Sequence, residues 1–320
     1  MQIRTPADAE ARLRQLVGGG ELDVPLPGAG RTDERFERLL GLAAAEDLSV
    51  GRLAEAHCDA VAIAAEAGRV LPAGAIGAVW ASRYRGSAMV AERDGAGWRL
   101  HGAMRFCSGA SVADVAMLDA QTVDGTMQLF EVPLRSGGLE VDTTVWASPA
   151  LAATGTGRVE LDVVLKANAA IGPPGFYLDR AGFWFGAIGV AACWAGGAHG
   201  VLDGAARHAN HESAHVLASL GRATAACWGM RAALFRAGID IDRQPRSVDS
   251  TYALTVRHLV ASACREVLDA GRHITGAGPL AFDDEHAQRR ADLDLYVEQQ
   301  HHEADLEEIA RRGLAPDPPS

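Results

Sequence analysis

Residues Trp98–Ala110, WRLHGAMRFCSGA, carry the reading on which the fold rests. Trp98, Leu100, Gly102, Met104 and Phe106 fall on one side of a two-residue period, and Arg99, His101 and Arg105 on the other, which predicts a half-buried strand. The strand ends in Cys107-Ser108-Gly109-Ala110. A small hydroxyl beside a glycine leaves the backbone open to close approach by a flat ligand. The same residues also suit a plain edge strand whose serine caps the next segment.

Outward from this strand the period stays at two. AIGAVWAS, SAMVAERDG, VAMLDAQT, TMQLFEVPL, LEVDTT and TGRVELDVVL read as further strands. Asp94-Gly95 and Asp124-Gly125 mark hairpin turns between them. On the N-terminal side the period is helical. Residues 1–20 carry Ala9, Leu13, Leu16 and Val17 on one face and end at Gly18-Gly19-Gly20. Thr32 is placed to cap a second helix, and Asp47-Leu48-Ser49 a third, whose apolar stripe includes His57 as a packed rather than ligating histidine. From about Pro174 four helices are expected, roughly 177–213, 218–242, 247–275 and 285–312, with breaks at Ser219-Leu220-Gly221, Gln244-Pro245 and Gly276-Ala277-Gly278-Pro279. The expected class is α+β and multidomain. It comprises an N-terminal helical domain (1–70), a central antiparallel β-barrel or sandwich (71–173), a C-terminal four-helix bundle (174–313) and a tail (314–320).

The chain has 320 residues, 48% of them hydrophobic, and a formal net charge of -11. That balance argues against binding nucleic acid through phosphates, but leaves room for an anionic cofactor in a locally basic pocket. The apolar run from Phe183 to Trp194 is interrupted by Gly186 and Gly189, and is expected to fall short of a membrane span. No secretory signal opens the sequence. The five cysteines (58, 107, 193, 227 and 264) are scattered and contain no Cys-x-x-Cys pair. They read as reduced thiols of a cytoplasmic protein rather than a disulfide frame or a zinc site.

Gly97-Trp98 followed by Leu100, Gly102, Arg105, Phe106 and Ser108 resembles the middle β-domain of the acyl-CoA dehydrogenase superfamily, whose pattern is close to G-W-x-L-x-G-x-K-x-W-I-T. The group-D flavin monooxygenases of the same fold carry a Ser-Gly pair here, like Ser108-Gly109. The run from Thr154 to Gly172, TGTGRVELDVVLKANAAIG, resembles the strand that closes that domain. The run from Asp179 to Ala205 resembles the first helix of the C-terminal bundle. The resemblance covers roughly residues 35 to 310 and implies an N-terminal helical domain with its first helices missing.

It also implies a flavin, FAD or else FMN or an exchangeable reduced flavin. Phe106 would stack on its ring system and Ser108 would donate to N5, where a buried donor stabilises developing charge. Gly109, Thr154 and Thr156 stand where the superfamily contacts flavin, although threonines in strands are commonly just β-formers. The chain departs from the superfamily at three places. Ala81 to Ser87 keeps the Gly86-Ser87 of T-E-P-x-x-G-S-D without its Thr-Glu-Pro. His211 to His215 lacks the arginine of R-x-x-F-G. His273 to Pro279 replaces Q-x-x-G-G-x-G.

An acyl-CoA dehydrogenase needs a carboxylate to take the α-proton. The resemblance offers Glu298, near the usual C-terminal position, and Asp179, which precedes Arg180 at the start of the long helix. A monooxygenase would instead use a histidine of the C-terminal helix, His302 or His301. Arg180 and Trp184 are the candidate substrate contacts. Trp184 belongs to an aromatic run that equally suits bundle core.

The leading expectation is therefore an FAD-dependent oxidoreductase acting on an acyl thioester or a similar small molecule, served by an electron-transfer flavoprotein. The alternatives are a group-D type monooxygenase served by a flavin reductase, and a flavin-free relative acting as a binding or assembly partner. A homodimer or homotetramer is expected, with neither nucleic acid nor membrane as partner.

Overall fold

The computed structural model describes residues 3–85 and 87–313. Gly86, half of the Gly-Ser pair noted above, and the tail 314–320 lie outside them. The chain divides into two compact units, one of Met1–Val24 and Arg52–Phe183, the other of Pro25–Gly51 and Trp184–Ser320. The helical segment 1–70 is thus shared between the two.

The first unit opens with α1 (Pro6–Gly18), started by a Thr5–Asp8 capping box and Pro6 and buried through Ala9, Leu13 and Leu16. The body of α3 (Leu48–Glu66) also belongs to it. Eight strands form one sheet: β1 (Gly77–Trp80), β2 (Ala88–Asp94), β3 (Gly97–Cys107), β4 (Val115–Thr122), β5 (Met127–Pro133), β6 (Leu139–Asp142), β7 (Gly157–Leu165) and β8 (Ala170–Ile171). Their order is β6-β7-β3-β2-β4-β5-β8, with β1 also paired to β4.

The sheet is mixed, not antiparallel throughout as the sequence suggested. β1 and the middle of β2 both run parallel to β4 along one of its edges, β2 meeting the end of β4 at Gln121 and Thr122. The two hairpins do fall at Asp94-Gly95 and Asp124-Gly125, with both glycines at positive φ.

Sheet curvature follows from one contact. Trp98 on β3 meets Phe130 on β5 edge to face at 5.2 Å, although three strand spacings, about 14 Å in a flat sheet, separate β3 from β5. The sheet must curl for those rings to touch, which gives it a barrel-like core. Gly102 is needed within β3: its φ is +135° and a Cβ would sit 2.1 Å from the Ala88 carbonyl oxygen. On the β4–β5 side the sheet packs against α3 through Ala60, Ile63, Ala64, Met117, Leu129 and Ile171. The short α4 (Phe176–Asp179) lays Phe176 and Tyr177 on that core.

The second unit contains α2 (Thr32–Ala45), α6 (Ala214–Arg243), α7 (Ser250–Thr275), α8 (Ala277–Phe282), α9 (Asp284–Val297), α10 (Glu303–Gly313) and all but the first two residues of α5 (Gly182–Arg207). Thr32 is the first residue of α2 and not its cap. The first orphan donor of that helix is satisfied from a distance, by Asp242 of α6, which accepts from the N–H groups of Thr32 and of the preceding Gly30 and from the Thr32 hydroxyl.

Two helix boundaries and one reading of composition differ from expectation. Ser213 caps α6, so Ser219-Leu220-Gly221 lies inside that helix. The last expected helix is two, α9 and α10, parted where His302 takes a φ of +44°. The third concerns α5, which is long and apolar enough by length and composition to cross a membrane, contrary to the reading of its glycines, yet 78% of that window is buried within the protein. One of those small residues, Gly196, allows α5 to approach α2, since a Cβ there would lie 2.2 Å from the Leu40 carbonyl oxygen.

Candidate functional site

The candidate centre of the first unit is the end of β3. Up to Met104 the side chains alternate as expected, but the pairing with β7 slips between Met104 and Cys107. This bulge carries Phe106 at φ +58°, a left-handed conformation that costs a bulky residue about 1–2 kcal/mol. The expected face of Phe106 is therefore corrected. It does not continue the buried row of Trp98, Leu100 and Met104; it turns outward and stays 51% exposed, while Cys107 takes the inward place. Burial pushes the Cys107 thiol up to about 12, so it remains a neutral packing group.

Two further rings pack nearly perpendicular to Phe106: Tyr84 at 5.0 Å and Trp146 at 6.1 Å between centroids. Neither was singled out in the sequence, because they are far apart along the chain and lie outside any strand pattern.

Ser108 follows the bulge. Its backbone is fully engaged: the N–H donates to Phe106 O (3.0 Å) and its carbonyl accepts from Trp80 Nε1 (2.9 Å). Its half-buried side-chain hydroxyl has no hydrogen-bond partner among the described residues. Gly109, at φ +73°, donates to the Thr154 carbonyl (3.1 Å) and so ties the turn to the segment before β7. Thr154 and Thr156 are both buried. The Thr154 hydroxyl donates to Leu151 O (2.7 Å), and the two threonine oxygens lie 2.7 Å apart. Their hydroxyls are directed at each other and at the backbone.

Asp179 and Arg180 are adjacent in sequence but part in space. Arg180 is buried, with its guanidinium 3.0 Å from Glu66 and 3.8 Å from Asp59, both on α3. Asp179 is exposed and lines a cavity of about 300 Å³ at the edge of the sheet.

The remaining candidates lie in the second unit. Trp184 is half-buried on α5. Glu298 and His302 form a pair, with Nε2 2.7 Å from Oε2. The Arg265 guanidinium lies 3.5 Å from Glu298 and donates to Gln300 Oε1 at 2.8 Å. Gln300 in turn reaches His258 Nδ1 at 3.0 Å. His301 pairs instead with Asp305, by its backbone N–H (3.1 Å) and by its ring (3.7 Å).

No protein-family model matches the sequence, and no curated protein does. Solved structures do match. The dibenzothiophene monooxygenase TdsC of Paenibacillus sp. A11-2 aligns with a TM-score of 0.77 at 17% identity, covering 97% of this chain and 96% of that one. A nitrososynthase from Micromonospora carbonacea var. africana aligns with a TM-score of 0.80 at 18% identity, over 98% and 94% of the two chains. An FAD-dependent dehydrogenase gives 0.78 at 17% identity, over 96% and 93%. The chain has the acyl-CoA dehydrogenase-like fold that it shares with TdsC, this nitrososynthase and this FAD-dependent dehydrogenase.

Proposed function

We propose that the chain is a flavin-dependent oxidoreductase that binds FMN or FAD against Phe106 and Ser108. The observation that carries this reading is the unpartnered Ser108 hydroxyl beside a phenyl ring held out of its sheet in a strained conformation. A hydroxyl that the fold leaves unspent is available to a ligand, and left-handed non-glycine residues concentrate at functional positions. When bound, the flavin would supply the redox chemistry, accepting electrons from a substrate or passing them to oxygen.

The protein's own residues then have separable tasks. Phe106 offers its face to a flat ring, with Tyr84 and Trp146 packed nearly perpendicular to it. Ser108 donates from Oγ to the flavin N5 position. Gly109, Thr154 and Thr156 hold the turn from which Ser108 projects. The similarity to TdsC, solved with FMN bound, and to an FAD-dependent dehydrogenase supports a flavin without choosing between the two.

Of the possible reactions we favour monooxygenation, with reduced flavin delivered by a flavin reductase. The support is the similarity to TdsC, a dibenzothiophene monooxygenase, over 97% of this chain and 96% of that one; within the second unit the Glu298 carboxylate holds the His302 imidazole at 2.7 Å. Dehydrogenation of an acyl substrate, coupled to an electron-transfer flavoprotein, is the second reading; it is favoured by Asp179, a carboxylate with a cavity in front of it.

Titration of the purified chain with FMN, FAD and their reduced forms, followed by flavin fluorescence, tests the cofactor. Binding that Phe106→Ala weakens tenfold or more supports the reading, and no binding of any form overturns it. Anaerobic bleaching of bound flavin by an acyl thioester would favour dehydrogenation over monooxygenation.

A further inference from the structure

The cavity in front of Asp179 has a feature that the flavin reading does not use. Its wall includes Asp119, in the middle of β4 and opposite Leu129 of β5. Asp119 shares a face of the sheet with Met117, and both Met117 and Leu129 belong to the apolar core against α3. A carboxylate on such a face costs free energy unless it is paired. Asp119 is only 5% exposed, and among the described residues nothing donates a hydrogen bond to it. Its one ion pair is long, 3.9 Å to the largely exposed Arg83. Burial accordingly raises its carboxyl to about 6, against the weak opposing pull of Arg83.

The cavity brings this under-satisfied acceptor together with others. Tyr177 also lines the cavity, and its hydroxyl has no hydrogen-bond partner among the described residues; Asp179 adds a second carboxylate at the exposed end. Met127, Pro174 and Leu178 supply apolar wall. The volume, about 300 Å³, is at the lower end of small-molecule sites. Two carboxylates and a phenol oxygen around apolar wall call for a ligand that donates several hydrogen bonds, carries positive charge and has a short hydrocarbon body.

We propose that this cavity binds a protonated primary or secondary amine, with its ammonium against Asp119 and Asp179 and its apolar part on Met127 and Leu178. Nothing in this requires the flavin, so the site is testable on the flavin-free protein and stands or falls separately from the function proposed above.

The experiment is calorimetric titration of the full chain, in phosphate buffer at pH 7.5, with benzylammonium, benzyl alcohol and benzoate, which share one body and differ in charge. Benzylammonium is expected to bind at least tenfold more tightly than benzyl alcohol, with benzoate weakest. Asp119→Asn is expected to bring benzylammonium down to the level of the alcohol, and Asp179→Asn to weaken it by a smaller factor. Should Asp119→Asn lose its cooperative thermal transition, Tyr177→Phe and Asp179→Asn carry the test, with a threefold or greater loss expected from each. Equal binding of amine and alcohol, preference for benzoate, absence of benzylammonium binding, or a folded Asp119→Asn variant with undiminished amine affinity each overturn the proposal.

Discussion

Ser108 and Thr154 are both hydroxyl residues at the β3 end of the sheet, joined through the hydrogen bond from Gly109 to the Thr154 carbonyl. Thr154 is 1% exposed and its hydroxyl is spent inside the fold, on Leu151 and Thr156. Ser108 has its backbone fully bonded, and among the described residues its hydroxyl has no hydrogen-bond partner. The same functional group is spent in one place and left unspent in the other. What separates the two is which atoms the fold has already satisfied.

That contrast predicts a double dissociation. Ser108→Ala removes a hydroxyl that the folded chain does not use, so thermal stability should hardly change while flavin-dependent turnover falls tenfold or more. Thr154→Ala removes a buried hydroxyl and strands the Leu151 carbonyl that accepts from it and the Thr156 groups that donate to it, at a cost of about 1–3 kcal/mol in unfolding free energy, with flavin affinity changed far less. Denaturant melts and turnover measured on the same two preparations would check this. If Ser108→Ala destabilised the chain as much as Thr154→Ala, the distinction between the two hydroxyls would collapse.

The contrast also marks how far the sequence can be read. The alternation through Met104, the two hairpins, the α1 stripe and the helical second unit follow from local periodicity and turn chemistry, which a single sequence displays. Phe106 was legible as a site residue only through resemblance. Its exposure was not, because a bulge depends on what β7 offers across the sheet. The parallel pairing of β1 and β2 with β4 is equally non-local, and so is the Asp242 cap on α2, some 210 residues away in sequence. Trp146 and Tyr84 were missed for the same reason. Asp119 left one local sign, a lone carboxylate in the apolar strand VAMLDAQT, although nothing local showed that its ion pair would be a long one, 3.9 Å to Arg83.

Asp119 and Ser108 differ in the cost of being unsatisfied. A half-buried hydroxyl costs little, whereas a buried carboxylate is penalised whenever it is charged. With its folded-state value raised to about 6, Asp119 takes up a proton in the folded chain at a pH where the unfolded chain, near 3.9, does not. Its burial therefore destabilises the fold above pH 6, and that penalty fades as pH falls toward 4. Asp119→Asn should melt about 2–4 °C higher than the parent at pH 8 in a buffer free of amines. The advantage should vanish by pH 4. A gain independent of pH would mean that the charge of Asp119 is not the cause.

The smallest effect expected concerns the backbone that presents Ser108. Glycine normally destabilises a strand relative to alanine by about 0.5–1 kcal/mol. At Phe106, with φ at +58°, the order should reverse. Alanine keeps the strain and loses the Tyr84 and Trp146 contacts, whereas glycine loses the same contacts and releases the strain. Phe106→Gly should therefore be more stable than Phe106→Ala by about 1 kcal/mol, as read from denaturant midpoints with unchanged slopes. Both should bind flavin weakly, since neither has a ring to stack. If alanine proved the more stable of the two, the left-handed bulge would be absent in solution, and Ser108 would lose the turn that sets its hydroxyl apart from that of Thr154.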